Sequence, residues 1–124
     1  MAGFTKAVLI WSCLIAPVAV AATENLPNSQ NRDRGFLAHS LGKAERIARG
    51  CDNLYLNEAA VGSALSNAGV TLDGLIRDYE DRYMEGTDIM DRVFHSQEKG
   101  IVCDAGVRVF GEHGWLYPGF LKSK

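Results

Sequence analysis

The strongest constraint on how this chain can fold is its small set of cysteines, and which of them the mature protein keeps. The 124-residue chain has three, Cys13, Cys51 and Cys103. Cys13 lies inside an apolar run over residues 7–22 that follows the positive charge of Lys6. A short basic region, an apolar stretch and a small-residue cleavage site are typical of a secretory signal peptide. We therefore expect Cys13 to be removed on export.

The end of the apolar run identifies the processing site. Residues 19–21 read Ala-Val-Ala, and cleavage after Ala21 or after Ala22 both fit this pattern. The run contains Pro17 and is shorter than the roughly 18 residues expected of a membrane-spanning helix. We predict that residues 1–21 are a signal peptide, and that the mature protein is periplasmic or secreted and does not insert into a membrane.

Cys51 and Cys103 remain after cleavage, so an exported chain of this size is expected to contain one disulfide in an oxidising compartment. The loop that such a bridge would close is long. In the chain-entropy model a closure of this length stabilises the fold by about 4 kcal/mol. The predicted core is small, and a covalent cross-link suits a small core.

Charge and length narrow the class of protein further. The chain has 13 Lys and Arg, of which Lys6 leaves with the signal peptide, against 15 Asp and Glu. The mature protein is therefore mildly acidic and has no basic patch typical of a nucleic-acid-binding surface. Residues 22–35 are polar and predict a flexible leader. Residues 36–124 predict one domain.

Helical periodicity dominates that domain. The first apolar stripe recurs at spacings of three and four and comprises Leu37, Leu41, Ala44, Ala48, Cys51 and Tyr55. Asn57 predicts the N-cap of a second helix and Gly69 its end. We predict an all-α fold, a small bundle of four to five helices closed by one disulfide.

Two parts of the domain leave alternatives open. A third helix begins at Thr71 or Asp73, and Gly86–Thr87 either kinks it or divides it into two helices. Residues 100–110 fit a helix or a β-hairpin, and we favour a helix, which would be almost fully buried, because two isolated short strands are marginal. The aromatic residues of the tail are predicted to cover the core: Trp115, Tyr117 and Phe120.

The residues that could carry chemistry do not form a convincing site. A nucleophilic Cys103 would need a nearby base and a lowered pKa, and a bridge to Cys51 competes with that role. The histidines, His39, His95 and His113, lack the close ligand pairs typical of zinc sites. The chain has no phosphate-binding glycine motif. We predict no catalytic, cofactor-binding or metal-ligating residues.

A set of residues between about 40 and 121 resembles a class of small exported bacterial proteins of unknown function. The resemblance rests on Cys51, on Cys103-Asp104, and on a C-terminal pattern of Phe110-Gly111, Gly114 and Pro118-Gly119-Phe120-Leu121. It implies a shared fold with a bridged cysteine pair, and it implies no activity. The layout is also similar to the acid-activated periplasmic chaperones of enteric bacteria, which are small helical proteins with one disulfide.

These features together predict a non-enzymatic protein of the bacterial envelope that binds another protein, as an accessory or as a chaperone-like stress protein. An inhibitor or immunity protein for a secreted enzyme is the first alternative. A thiol enzyme that uses Cys103 is the second. Neither the partner nor the oligomeric state follows from the sequence.

Overall fold

The computed structural model describes the backbone of residues 28–124 and the side chains from Asp33 onward. The predicted signal peptide and both candidate cleavage residues, Ala21 and Ala22, lie outside this part of the chain. Residues 33–124 form one unit. The elements are, in order, α1 (Asn28–Gly50), β1 (Leu54–Leu56), α2 (Glu58–Ala68), α3 (Leu72–Asp78), α4 (Glu80–Ser96), α5 (Lys99–Phe110) and β2 (Leu121–Ser123). The predicted all-α bundle is confirmed, with the addition of one small sheet.

Helix α1 begins at Asn28, before residue 36, where the sequence predicts the domain to start. The guanidinium of Arg34 donates from Nε to the carbonyl oxygen of Ala68 at 3.2 Å. Gly35 is buried beside the Tyr79 ring. The predicted flexible leader over residues 22–35 is therefore wrong for residues 28–35, which form the first turns of α1. The polar composition of this segment did not indicate a helix, and it did not indicate the contacts that Arg34 and Gly35 make with distant residues.

The end of α1 also differs from the predicted stripe. The helix stops at Gly50, and Tyr55, which had been predicted on the helical stripe, lies in β1 with an exposed ring. Strand β1 pairs antiparallel with β2, placing Leu56 opposite Leu121. This pairing joins segments far apart in the chain, so local periodicity could not predict it.

The predicted turn residues act as helix caps. The Asn57 side chain accepts a hydrogen bond from the backbone N–H of Ala59 at 3.2 Å at the start of α2. Gly69 ends that helix in the left-handed region, at φ 72°. Of the two predicted starts for α3, Thr71 is the cap, because its hydroxyl accepts from the N–H of Gly74 at 3.0 Å.

The break in the long helical segment lies at Tyr79 and not at Gly86–Thr87. Tyr79 has non-helical dihedral angles, φ −129° and ψ 37°, and separates α3 from α4. The segment is thus two helices, and α4 runs without interruption through Gly86. Gly86 does not break α4. Its lack of a side chain allows α4 to pack closely on α1.

Helices α1 and α4 approach each other through two reciprocal glycine contacts. A Cβ atom on Gly42 would overlap the carbonyl oxygen of Tyr83, and one on Gly86 would overlap the carbonyl oxygen of His39. Each glycine therefore faces the carbonyl three residues before the other glycine. The Thr87 hydroxyl points to the carbonyl oxygens of Gly42 and Tyr83, at 3.5 and 3.3 Å. A side chain at Gly42 or Gly86 would therefore push the two helix backbones apart.

Helix α5 confirms the helical interpretation of residues 100–110. The predicted disulfide is present: Cys51, directly after α1, is bonded to Cys103 in α5, with their Cα atoms 5.8 Å apart. Both cysteines are buried. A Cβ on Gly106 would lie 2.8 Å from Cγ2 of Ile47, so α5 also packs closely on α1.

The prediction that α5 is almost fully buried is wrong. Its buried face holds Val102, Cys103, Gly106 and Phe110, whereas Ile101 is 55 % exposed and Val107 is also exposed. The disulfide and Gly106 place one face of the helix on the core. The remaining apolar residues stay on the surface of the described domain.

The C-terminal tail is divided between core and surface. Phe120 is buried and stacks with Phe110 and Tyr117 at ring-centroid distances of 6.2 and 4.8 Å. Trp115, in contrast, is 74 % exposed, so the prediction that it covers the core is wrong. The backbone N–H of Trp115 bonds to the carbonyl of Arg108 at 3.4 Å, which ties the chain close to α5 while the indole remains in solvent.

No helix within residues 28–124 combines the length and the apolar character needed to cross a membrane. The core is built around the inner face of α1 and the residues that pack on it from every other element. Its fully buried large side chains include Leu41, Leu54, Leu75, Val102, Phe110, Phe120 and Leu121.

Candidate functional site

An apolar groove between α4 and α5 is the candidate functional site, and we call it the α4–α5 groove. It has a volume of about 280 Å³. Most of the residues that line it are apolar. The lining comprises Lys43, Ile47, Met90, Val93, Gln97, Ile101, Val102, Ala105, Gly106, Val109, Phe110, Trp115 and Leu116.

The helical repeat explains why two chain segments line one groove. On α4 the lining residues Met90 and Val93 are three residues apart, and Gln97 follows directly after the helix. On α5, Ile101, Ala105 and Val109 follow a spacing of four. Ala105 occupies little volume between Ile101 and Val109 on α5, so a gap remains over the buried floor.

The rim of the groove exposes large apolar side chains. Ile101 and Trp115 are among the most exposed large hydrophobic residues of the described domain, at 55 % and 74 %. Single exposed apolar residues are common on proteins. Here both lie beside a concave apolar surface, and that combination is typical of an interaction site.

Lys43 is the one charged residue in the lining of the groove. It is half-buried, and none of the ion pairs between described residues involves it. An ammonium group has three hydrogens to donate and no lone pair to accept with. The groove therefore combines an apolar floor with one cation that lacks an anionic partner within the described residues.

The wall that α4 contributes is held to α1 by polar contacts. Arg46 donates from Nε to Oδ1 of Asp91 at 2.5 Å and stacks over the Phe94 ring at 4.5 Å. This hydrogen bond lowers the pKa of the Asp91 carboxyl. About two turns earlier on α4, the Tyr83 hydroxyl donates to the carboxylate of Glu45 in α1. Burial, and then that hydrogen bond, raise the pKa of Tyr83 to about 12.

His39 lies on the same interface and is nearly covered, with 12 % of its side chain exposed. Its Nδ1 is buried without a hydrogen-bond partner among the described residues, and Oε1 of Glu85 lies 3.4 Å from it. Burial lowers the pKa of His39, and the nearby charges of Lys43 and Arg82 lower it further, although Glu85 acts in the opposite direction. The fold therefore favours the neutral form of the ring more than solvent does.

We expect the free energy of unfolding to fall as the pH drops below about 6.5, the ordinary pKa of histidine. The unfolded chain binds the His39 proton more readily than the folded chain, because folding lowers this pKa. Urea unfolding at pH 7.5, 6.5 and 5.5 measures the decline. In H39Q the decline should be shallower, whereas H113Q, which changes an exposed histidine, should keep the wild-type slope. An unchanged slope in H39Q would assign the decline to other groups.

A second cavity, near β2, is larger but less apolar. Its volume is about 590 Å³ and its lining combines buried Leu54 and Leu121 with charged or polar side chains of Arg108, Glu112 and Lys122. Arg108, Glu112 and Lys122 are all exposed to solvent. The α4–α5 groove is the stronger candidate because its lining is apolar and carries a single charge.

The residues considered for chemistry are not brought together. The sulfur of Cys103 is bonded to Cys51, so the free thiol that a nucleophile requires is absent from this structure. His39 lies in α1, His95 near the end of α4 and His113 after α5. Among the described residues, no three His, Cys, Asp or Glu side chains form a group that could hold a metal ion.

Sequence reasoning missed the groove because it assigned Ile101 and Trp115 to the core. One signal was available. Helix α5 carries apolar residues around almost its whole circumference, and a chain of this size has little interior to bury them. Lys43 carried no comparable signal, because a lysine on a predicted helix is ordinarily solvated.

Comparison with known proteins gives no relative to which this groove can be matched. No family model, curated protein or solved structure matches the chain.

Proposed function

We propose that this chain is an exported, non-enzymatic binding protein of the bacterial envelope, and that it holds a partner protein in the α4–α5 groove. The observation that carries the proposal is the exposure of Ile101 and Trp115 at the rim of an apolar groove. Tryptophan is among the residues enriched at the energetic centres of protein interfaces. The N-terminal sequence pattern supports export, and the buried disulfide suits an oxidising compartment.

The exposed rim of the groove favours a protein over a small molecule. Small-molecule sites usually have volumes of about 300–1,000 Å³ and enclose most of the ligand. The groove, at about 280 Å³, is at the lower end of that range, and large apolar side chains at its rim remain exposed. It can take a few side chains of a larger partner, whose remaining surface would cover Ile101 and Trp115.

The construction of the groove favours one dedicated partner. The disulfide joins α1 to α5, and the glycine contacts join α1 to α4, so both walls are fixed to the same helix. A preorganised surface loses little conformational freedom on binding. This supports the inhibitor or immunity role, in which one secreted enzyme is the partner.

The acid-sensitive contacts between α1 and α4 support the chaperone-like role as the second candidate. Asp91 and His39 both weaken this interface on protonation. A chaperone of this kind would gain apolar surface at about pH 3 and bind many unfolded clients. A dedicated inhibitor would bind one folded partner at neutral pH.

Photocrosslinking in the producing cell tests the proposal. A photoreactive amino acid is placed at Ile101 or Trp115 in the exported protein, and at Ser63, an exposed residue of α2, as the matched control. We expect one dominant crosslinked protein from the two groove positions and none from Ser63. Several clients appearing only in acid would indicate the chaperone-like role. Equal products from all three positions, or none, would contradict binding in the groove.

A further inference from the structure

We infer that the α4–α5 groove binds an amphipathic α-helix of the partner protein, and that an acidic side chain of this helix pairs with Lys43. The inference rests on the proposed function and specifies the chemistry of the partner. Three observations carry it: the place of the groove between two helices, its size, and the position of its charge.

The groove lies between two helices that follow each other with only Gln97 and Glu98 between them. A connection this short keeps the two helices adjacent in space. Both helices contribute lining residues, Met90 and Val93 from α4 and Ile101, Ala105 and Val109 from α5, so the groove lies between them. An apolar groove between helices suits the apolar stripe of a third helix, with anchors at i, i+3 or i+4, and i+7.

The size of the groove limits the number of anchor side chains that it can hold. The floor is formed by Ile47, Val102 and Phe110, which are almost completely buried. The small side chain of Ala105 leaves space above that floor in the middle of α5. A volume of about 280 Å³ accommodates a few aliphatic or aromatic anchors, while Ile101 and Trp115 contact the flanks of the bound helix.

Charge complementarity specifies the polar contact. Lys43 lines the groove without a carboxylate partner among the described residues, and no Asp or Glu is present in the lining. The neighbouring cation Arg46 is already paired with Asp91. A glutamate or aspartate on the bound helix would give Lys43 an anionic partner in a partly desolvated setting, where such pairs favour one partner over others.

Selection from a displayed library of random peptides tests the inference without assuming the partner. The bait is the mature, oxidised protein. We expect enriched peptides to show apolar residues at helical spacing together with an acidic residue. Against K43E the acidic residue should be replaced by lysine or arginine. An acidic peptide selected on the wild type should bind K43E about tenfold more weakly, the change that about 1.4 kcal/mol produces.

Two matched controls restrict the result to the groove. K124E reverses an exposed lysine outside the groove and should leave affinity unchanged. I101D should abolish enrichment, whereas V107D, which changes an exposed apolar residue of the same helix outside the groove, should not. Trp115 is the only tryptophan of the predicted mature chain. Its emission should shift to shorter wavelength as a selected peptide covers it.

The inference is overturned if no peptide is enriched, if enriched peptides lack helical spacing, or if the preference for acidic residues persists on K43E. These outcomes are separable from failure of the proposed function. A partner that crosslinks at Ile101 while the selection fails would keep protein binding in the groove and reject the acidic helix. Absence of any crosslink at the groove would reject the proposed function itself.

Discussion

Replacing both Cys51 and Cys103 with alanine is expected to lower the free energy of unfolding by about 4 kcal/mol. The bridge closes a loop between residues 52 positions apart, and its loss returns that loop's conformational freedom to the unfolded chain. Domains of this class have a total stability of about 5–15 kcal/mol. The variant should therefore be marginal, with a much lower urea midpoint measured by far-ultraviolet circular dichroism.

The control for this prediction is the wild-type protein unfolded after reduction, which should show a similar loss. Intact mass after alkylation provides the accompanying thiol count, with no free thiol before reduction and two after it. It also reports whether the signal peptide ends at Ala21 or Ala22. If the native protein carries two free thiols, the bridge is not part of the fold, and Cys103 becomes available as a nucleophile.

Gly86→Ala is expected to destabilise the protein by about 1–3 kcal/mol, the usual cost of overpacking a filled interior. In a solvent-exposed helix the same change would stabilise it, by up to about 1 kcal/mol. The sign reverses because the new Cβ would overlap the backbone carbonyl of His39, and a helical backbone cannot rotate aside as a side chain can. Gly42→Ala should act equally, through the carbonyl of Tyr83.

Gly62→Ala and Gly100→Ala are the matched controls, since a Cβ at either helical position meets no atom within 4 Å. Both should raise the urea midpoint. The double variant G42A/G86A should lose less than the two single changes added together, because one separation of α1 from α4 relieves both overlaps. Stabilisation by G86A would show that the two helices are not in backbone contact.

Both predictions concern contacts that neighbouring helices make with α1. The disulfide fixes α5 to the end of α1, and the glycine contacts fix α4 to its middle. The α4–α5 groove lies between the two helices held in this way. We therefore expect reduction or G86A to weaken peptide binding at the groove, although neither change touches a residue that would contact the bound helix.

Much of the local structure could be predicted from the sequence. Asn57, Gly69 and Thr71 mark helix boundaries through backbone chemistry that acts over a few residues. The cysteine count left a single pairing once Cys13 was assigned to the signal peptide. The start of α1, by contrast, was predicted too late, because the Arg34 contact with Ala68 joins segments that are distant in the chain.

The sequence alone determined the helical class of this protein and the pairing of Cys51 with Cys103, because helical periodicity, capping and cysteine number are local or countable properties. Only the tertiary structure decided which apolar residues stay outside the core. Ile101 and Trp115 are large hydrophobic residues, yet 55 % and 74 % of their surface is exposed. The close packing at Gly42, Gly86 and Gly106 is likewise invisible in the local sequence pattern. Burial is a property of the whole arrangement, so the groove became visible only when the helices were placed together.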